Sequence, residues 1–154
     1  MITIDPISLR GFKDFTKTLN HAVNEANKET AFELSEIIKQ NIRTGYDDPP
    51  LGSGATWDWI STRREEELIA AKLMPHTGLV AETQRLIDSV MVFPSLDQGF
   101  GVTVTQWYGI EHEFGNAAYN LPARPFFYPA IIHFKAENIP KQVMDRTLKE
   151  IKRL

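Results

Sequence analysis

The chain has 154 residues, 42% hydrophobic and 24% charged, with a formal net charge of −3 and no cysteine. That length suits one domain over 1–154 with a single core, the acidic balance supplies no global basic field for nucleic acid, and the lack of cysteine excludes disulfides and thiolate metal sites. No run approaches the roughly 20 apolar residues that span a bilayer, and Met1 to Asp5 lacks the basic and apolar regions of a signal peptide, so cytosolic synthesis and no membrane partner are expected.

Ile2 and Ile4 alternate with polar residues as in a short strand, which Asp5-Pro6 closes, and Ser8 suits the N-cap of a helix starting near Leu9. From about Leu9 to Thr44 there is no proline. Phe12, Phe15, Leu19, Ala22, Val23, Ala26, Leu34, Ile37, Ile38 and Ile42 recur there at three- and four-residue spacing, and Gly45 supplies a C-cap. A helix of some 35 residues would run roughly 50 Å at 1.5 Å per residue, more than a globule of this size needs. Either part of it projects or packs on a neighbouring subunit, or it is one amphipathic helix across a sheet, broken near Asn27-Lys28.

Gly45 to Thr56 is rich in Gly, Pro and Asp with little to bury, and reads as an exposed, mobile loop at about 45–56. Asp47 and Asp48 before two prolines are turn formers rather than metal ligands. Trp57-Asp-Trp-Ile60 re-enters the core. Thr62 with Glu65 makes a capping box for a short helix to about Leu73, its charges forming a solvated face, and Pro75 stops it. Thr77 caps a second short helix using Leu79, Val80, Leu86, Ile87 and Val90. Val90 to Phe93 runs extended to Pro94, and the five-residue connection Ser95 to Gly99 leads to an alternating strand from Phe100, which together predict an antiparallel hairpin. Ala130 to Phe134 reads as helix. Pro140 falls in the first turn of a last helix with the stripe Ile139, Val143, Leu148 and Ile151 and with Lys149, Lys152 and Arg153 at its C-terminal end, where the helix dipole favours cations.

The chain is organised around Trp107 to Ile131. Phe114-Gly115 ends the first half of this stretch, since glycine takes the conformation that terminates a short helix. Pro122 and Pro125 hold Arg124 on a stiff extended segment, with Glu111 and Glu113 as carboxylates within reach, one of them pairing with Arg124 or capping the turn. Phe126, Phe127 and Tyr128 need apolar cover. The stretch reads as a junction where a loop is fastened to the core.

Glu111-His112-Glu113 is the cluster that suggests chemistry. Zinc needs three or four converging ligands, and His21, His76, His112 and His133 show neither helical pairing nor a His-Glu-x-x-His arrangement. There is no nucleophile elbow, no catalytic cysteine and no phosphate-binding glycine loop. Catalytic residues, metal and cofactors are all expected to be absent. Arg124 beside three aromatics is the best nucleic-acid candidate, but one arginine is not a patch. The same residues, Arg124, Phe127 and Tyr128, are candidates for a protein interface, which favours Tyr and Arg.

The run Tyr108, Glu113, Phe114, Gly115 and then Pro122, Ala123, Arg124, Pro125, Phe126 resembles the signature of virion-morphogenesis and tail-completion (neck or minor tail) proteins of long-tailed phages. The resemblance spans about residues 8–150 in the same order: a long first helix, Trp57 with Ser61-Thr62, the segment Leu79 to Val90, a hairpin, the two motifs and a last helix. Gln84 stands where that family usually has Gly, and a second register through Thr77-Gly78-Leu79 also fits. The resemblance implies a structural role in head–tail joining or tail completion, in the virion of a phage or prophage. It further implies self-association into a ring or attachment to other connector or tail proteins, with no catalytic residue to carry over.

The expected fold is therefore α+β: a small antiparallel sheet packed against one long N-terminal helix, with a C-terminal helix. A phage structural protein is the first reading of function, with no sequence-specific nucleic-acid partner. The alternatives are a small metal-dependent hydrolase centred on His112 and Glu113, and a nucleic-acid-binding module using Arg124.

Overall fold

The computed structural model describes residues 6–45, 49–54, 57, 84–95, 99–119 and 122–151. The expectations for the strand at Ile2 and Ile4, for the helix from Thr62 to Leu73, and for Asp47 and Asp48 lie outside these residues. Helix α1, Pro6–Thr44, is continuous over 39 residues, about 58 Å at 1.5 Å per residue. It does not break at Asn27-Lys28, and it begins at Pro6 rather than after Ser8, because a proline at the first helical position gives up an N–H that has no partner there anyway. Thr18, Thr30 and Thr44 on this helix donate their hydroxyls to the carbonyl four residues back, so these β-branched residues carry no orphaned polar group in the helix.

The helix ends where predicted, but not by a left-handed cap. Gly45 is absent from the positive-φ residues and donates its N–H to Asn41 O at 3.1 Å. Its lack of a side chain serves packing instead, since a Cβ there would lie 2.5 Å from the Trp57 indole.

Strands β1 (Val90–Pro94) and β2 (Phe100–Val104) form the antiparallel hairpin, in the register Val90 with Val104 through Pro94 with Phe100. Val90 begins β1 rather than ending a helix; residues 84–88 are helical and Ser89 turns the chain. The Ser89 hydroxyl donates to Leu86 O and its carbonyl accepts from Thr105 N, which fastens that turn to the end of β2. Along β1, Val90 is buried while Met91 and Phe93 are exposed, the period of two expected of a strand covered on one face.

Three shorter helices follow: α2 (Gly109–Phe114), α3 (Phe127–Ala136) and α4 (Ile139–Ile151). Asn138, with φ of 52°, makes the corner between α3 and α4, a conformation that asparagine tolerates better than most residues. In α4, Val143 is fully buried but Leu148 is 39% exposed, so the predicted apolar stripe is covered at Val143 and open at Leu148.

The hairpin, α3 and α4 all pack on α1. The core cluster joins Ile37, Ile38 and Ile42 of α1 to Leu86, Ile87, Val90, Phe126 and Ala130. The fold is the expected one: α+β, with a two-stranded antiparallel sheet and C-terminal helices against one long N-terminal helix.

Candidate functional site

The segment Pro122 to Phe126 is held through its backbone by four hydrogen bonds from three parts of the chain, α1, Trp57 and α2. Arg124 N donates to His112 O at 2.6 Å. The Trp57 indole Nε1–H donates to Pro125 O at 3.1 Å. Phe126 N donates to Glu113 Oε2 at 2.9 Å, and Phe126 O accepts from Asn41 Nδ2 at 3.1 Å. Two prolines remove donors and most of the backbone freedom here, and Arg124 N, Pro125 O and both backbone groups of Phe126 find partners from outside the segment.

Glu113 is the centre of this clamp. It is 9% exposed, and its carboxylate also accepts from Phe127 N at 2.9 Å and Tyr128 N at 2.8 Å. These are among the N–H groups left without intrahelical partners at the start of α3. Phe126 is the N-cap residue and supplies no side-chain cap, so a carboxylate distant in sequence does that work, favoured also by the positive end of the helix dipole. The capping role foreseen for one of the two glutamates falls to Glu113.

Arg124 does not pair with either glutamate. Glu113 spends its oxygens on backbone N–H groups, and Glu111 Oε1 accepts from Asn116 Nδ2 at 2.9 Å. Arg124 is only 5% exposed, so it points into the protein, not outward as an interface or nucleic-acid residue would. The clamp turns this side of the stiff segment inward.

Asn41, fully buried, went unforeseen. Besides Phe126 O, its Nδ2 donates to Leu51 O at 3.3 Å and its Oδ1 accepts from Leu51 N at 2.6 Å. Its signal lies in the sequence: position 41 is four residues after Ile37 and three after Ile38, which puts an amide on the apolar face of α1. A buried amide must be satisfied, and this one is satisfied by backbone from two distant segments. In consequence the middle of the loop at 45–56 is not the exposed strip expected; Pro50 is fully buried and Leu51 packs against the core.

The remaining motif residues divide by exposure. Tyr108 is half-buried, packed against the core, and meets the rings of Trp107 and His112 edge-on at 5.8 Å. Gly115 takes φ of 73° and ends α2 as predicted. Pro122 and Pro125 are half-buried, and Ala123 is exposed. Phe126 is buried and Phe127 half-buried in the core, whereas Tyr128 is 64% exposed and Phe114 76%.

Those exposed rings border an apolar groove of about 450 Å³ between β2, α2 and the start of α3. Val102, Val104, Trp107, Ile110, Phe114 and Ile131 contribute to it, and no Lys or Arg lines it among the described residues. Trp107 is 75% exposed and Ile110 68%. No group of three or more His, Asp or Glu able to hold a metal occurs among the described residues, and no described helix is long and apolar enough to cross a membrane.

The chain is similar to an uncharacterized protein of Methanocaldococcus jannaschii, 27% identical over 141 residues, which cover 91% of this chain and 95% of that one. No family model matches the chain, and no solved structure matches it.

Proposed function

We propose that this chain is a structural protein of a tailed phage or prophage virion, acting in head–tail joining or tail completion through contacts with connector or tail proteins and with copies of itself. It catalyses no reaction on this reading and takes no cofactor, membrane or sequence-specific nucleic acid. The observation that carries the reading is the division of labour among the resemblance motifs. Glu113 and the backbone of Pro122 to Phe126 are spent on fastening α3, and the residues beside them, Trp107, Ile110, Phe114 and Tyr128, face outward around an apolar groove. A contiguous exposed apolar patch of this kind is what a protein-binding surface needs. Hydrolysis centred on Glu113 is disfavoured, because a carboxylate accepting three backbone N–H groups is held as a cap and not as a base.

The test is made in the host that carries the gene. Particles are induced and purified, the chain is sought in them by mass spectrometry, and the gene is deleted. The reading expects the chain in particles, and separate heads and tails, or tails of aberrant length, without it. Normal infectious particles from the deletion strain would refute it.

A further inference from the structure

We infer that the groove between β2, α2 and α3 takes an extended peptide segment of a partner protein, which adds to the free edge of β2 as a third strand. This rests on the protein-binding part of the proposed function and specifies the form of what binds. The hairpin's own hydrogen bonds show which edge is free. Thr105 N donates to Ser89 O and Ser95 N to Gly99 O. These pairs stand one step beyond either end of the register in which Val90 faces Val104 and Pro94 faces Phe100. Directly opposed residues of an antiparallel pair alternate between those that exchange hydrogen bonds and those that do not. Gly99, Gly101, Thr103 and Thr105 therefore turn their N–H and C=O groups to β1, and Phe100, Val102 and Val104 turn theirs away from it. No described residue bonds to these outward groups.

The open edge runs along the groove. Val102 to Gln106 line it one after another, and no residue of β1 does. Successive side chains of a strand point to opposite faces, so a cavity that meets every residue in turn lies beside the strand, on the side away from β1. Helices α2 and α3 wall the far side through Ile110, Phe114, Phe127 and Ile131. A slot with a strand edge on one side and helices on the other has room for one extended chain rather than for the edge of a second sheet.

The groups on the edge and in the slot state the chemistry of the occupant. Backbone donors and acceptors recurring at every second residue are matched by another strand, and not by a helix, whose backbone groups are spent internally. Val102 and Val104 pack against the core, and buried Phe126 lines the groove beside them, so every second side chain of an added strand meets apolar surface. No cation lines the groove among the described residues, and its carboxylate, Glu113, is spent on the start of α3. The fitting segment is uncharged, apolar at alternate positions and about as long as β2, five residues. The two edges of the hairpin also differ. Val90, Val92 and Pro94 face outward on β1, and a proline there blunts that edge. Phe100 to Gln106 contains neither proline nor charge, so the edge of β2 is left able to pair.

The experiment is heteronuclear NMR on the full chain. In the free protein the Val102 and Val104 amides should exchange with solvent at least about a hundredfold faster than those of Gly101 and Thr103. Equal protection would mean an edge already paired, and overturns the inference. The probe is the acetylated peptide Ile-Thr-Ile-Thr-Ile, followed by a pair of lysines for solubility. It should bind with a Kd below about 1 mM, shifting and protecting the Val102 and Val104 amides. N-methylation at the isoleucines, or instead at the threonines, separates backbone pairing from apolar contact, because alternate residues of a strand turn their N–H groups to opposite sides. The two methylated peptides should differ at least about tenfold in affinity. Equal affinities, or no binding of the parent peptide, overturn the inference. Val102→Pro removes an outward donor that the hairpin does not use, at an edge position where proline is tolerated. It should stay folded by circular dichroism and bind the peptide about tenfold more weakly. Ile110→Glu places a charge in the groove wall at an exposed position, away from the hairpin, and should weaken binding similarly; unchanged binding there also overturns the inference. Particle assembly is read separately: failed peptide binding together with unjoined heads and tails in the deletion strain would sink this inference and leave the head–tail reading standing, and peptide binding with normal particles would do the reverse.

Discussion

Replacing Glu113 by alanine tests whether the carboxylate is a cap. It removes the acceptor for the N–H groups of Phe126, Phe127 and Tyr128, of which the first is buried and the other two partly buried. A hydrogen bond to a charged group contributes roughly 1.5–3 kcal/mol net, and loss of a side-chain cap costs about 0.5–2 kcal/mol. Water reaches the partly buried donors in the variant and offsets some of the loss, so the expected cost is about 3–5 kcal/mol. At roughly 2–4 °C per kcal/mol for a chain of this size, Tm should fall by about 6–20 °C. Glu113→Gln keeps one acceptor oxygen but turns an NH2 towards the other donors, and should lose about half as much. Urea denaturation followed by far-UV circular dichroism gives both values, provided the slope with denaturant is unchanged. If Glu113→Ala stayed within about 1 kcal/mol of wild type, or if Glu113→Gln cost nothing, the carboxylate would not be holding α3.

Three further perturbations bear on the same clamp and its surroundings. Asn41→Ala should cost about 2–4 kcal/mol by urea denaturation, since it strands Leu51 N and two carbonyls; combined with Glu113→Ala it should cost less than the sum, because both residues hold Phe126. Trp57→Phe keeps the ring over Gly45 but loses the bond to Pro125 O, for about 1 kcal/mol in the same assay. Arg146→Ala should cost less than about 1 kcal/mol, and less still in high salt, although Arg146 bridges Glu29 and Glu33 of α1 at 3.1 and 3.2 Å, because all three side chains are about half exposed.

The fold was legible where burial follows a period. The α1 face through Ile37, Ile38 and Ile42, the strand–turn–strand run from Val90 to Val104 and Pro140 at the start of α4 are each local patterns read within a turn or two of chain. The site was legible only in part, because its bonds are not local. That Glu113 or Glu111 would cap or pair was evident from their proximity to a proline-stiffened turn; that Glu113 would serve the helix beginning at Phe127 depends on α2 folding back across it. Asn41 bonds to residue 126, 85 positions on, and no spacing rule reaches that far. Arg124 was misplaced for the same reason. Pro122 and Pro125 restrict the backbone there, but which way its side chains face is set by where His112, Trp57 and Asn41 grip it.

Helix α2 is where these constraints meet, and its faces are inverted. Gly109 and Glu113, four apart, face inward and are buried, while Ile110 and Phe114, also four apart, are 68% and 76% exposed. An amphipathic helix left to burial alone would turn the other way, with the isoleucine and phenylalanine inside and the glutamate in water. The caps hold it: rotating α2 to bury Ile110 and Phe114 would pull Glu113 from three N–H groups and expose the start of α3. Leaving two large apolar side chains in water gives up roughly 1.5–3 kcal/mol each, which the cap offsets at about the same scale. An arrangement that balances so closely in the isolated protomer gains nothing there. It gains when another surface covers Ile110 and Phe114, because that burial then comes without disturbing the clamp.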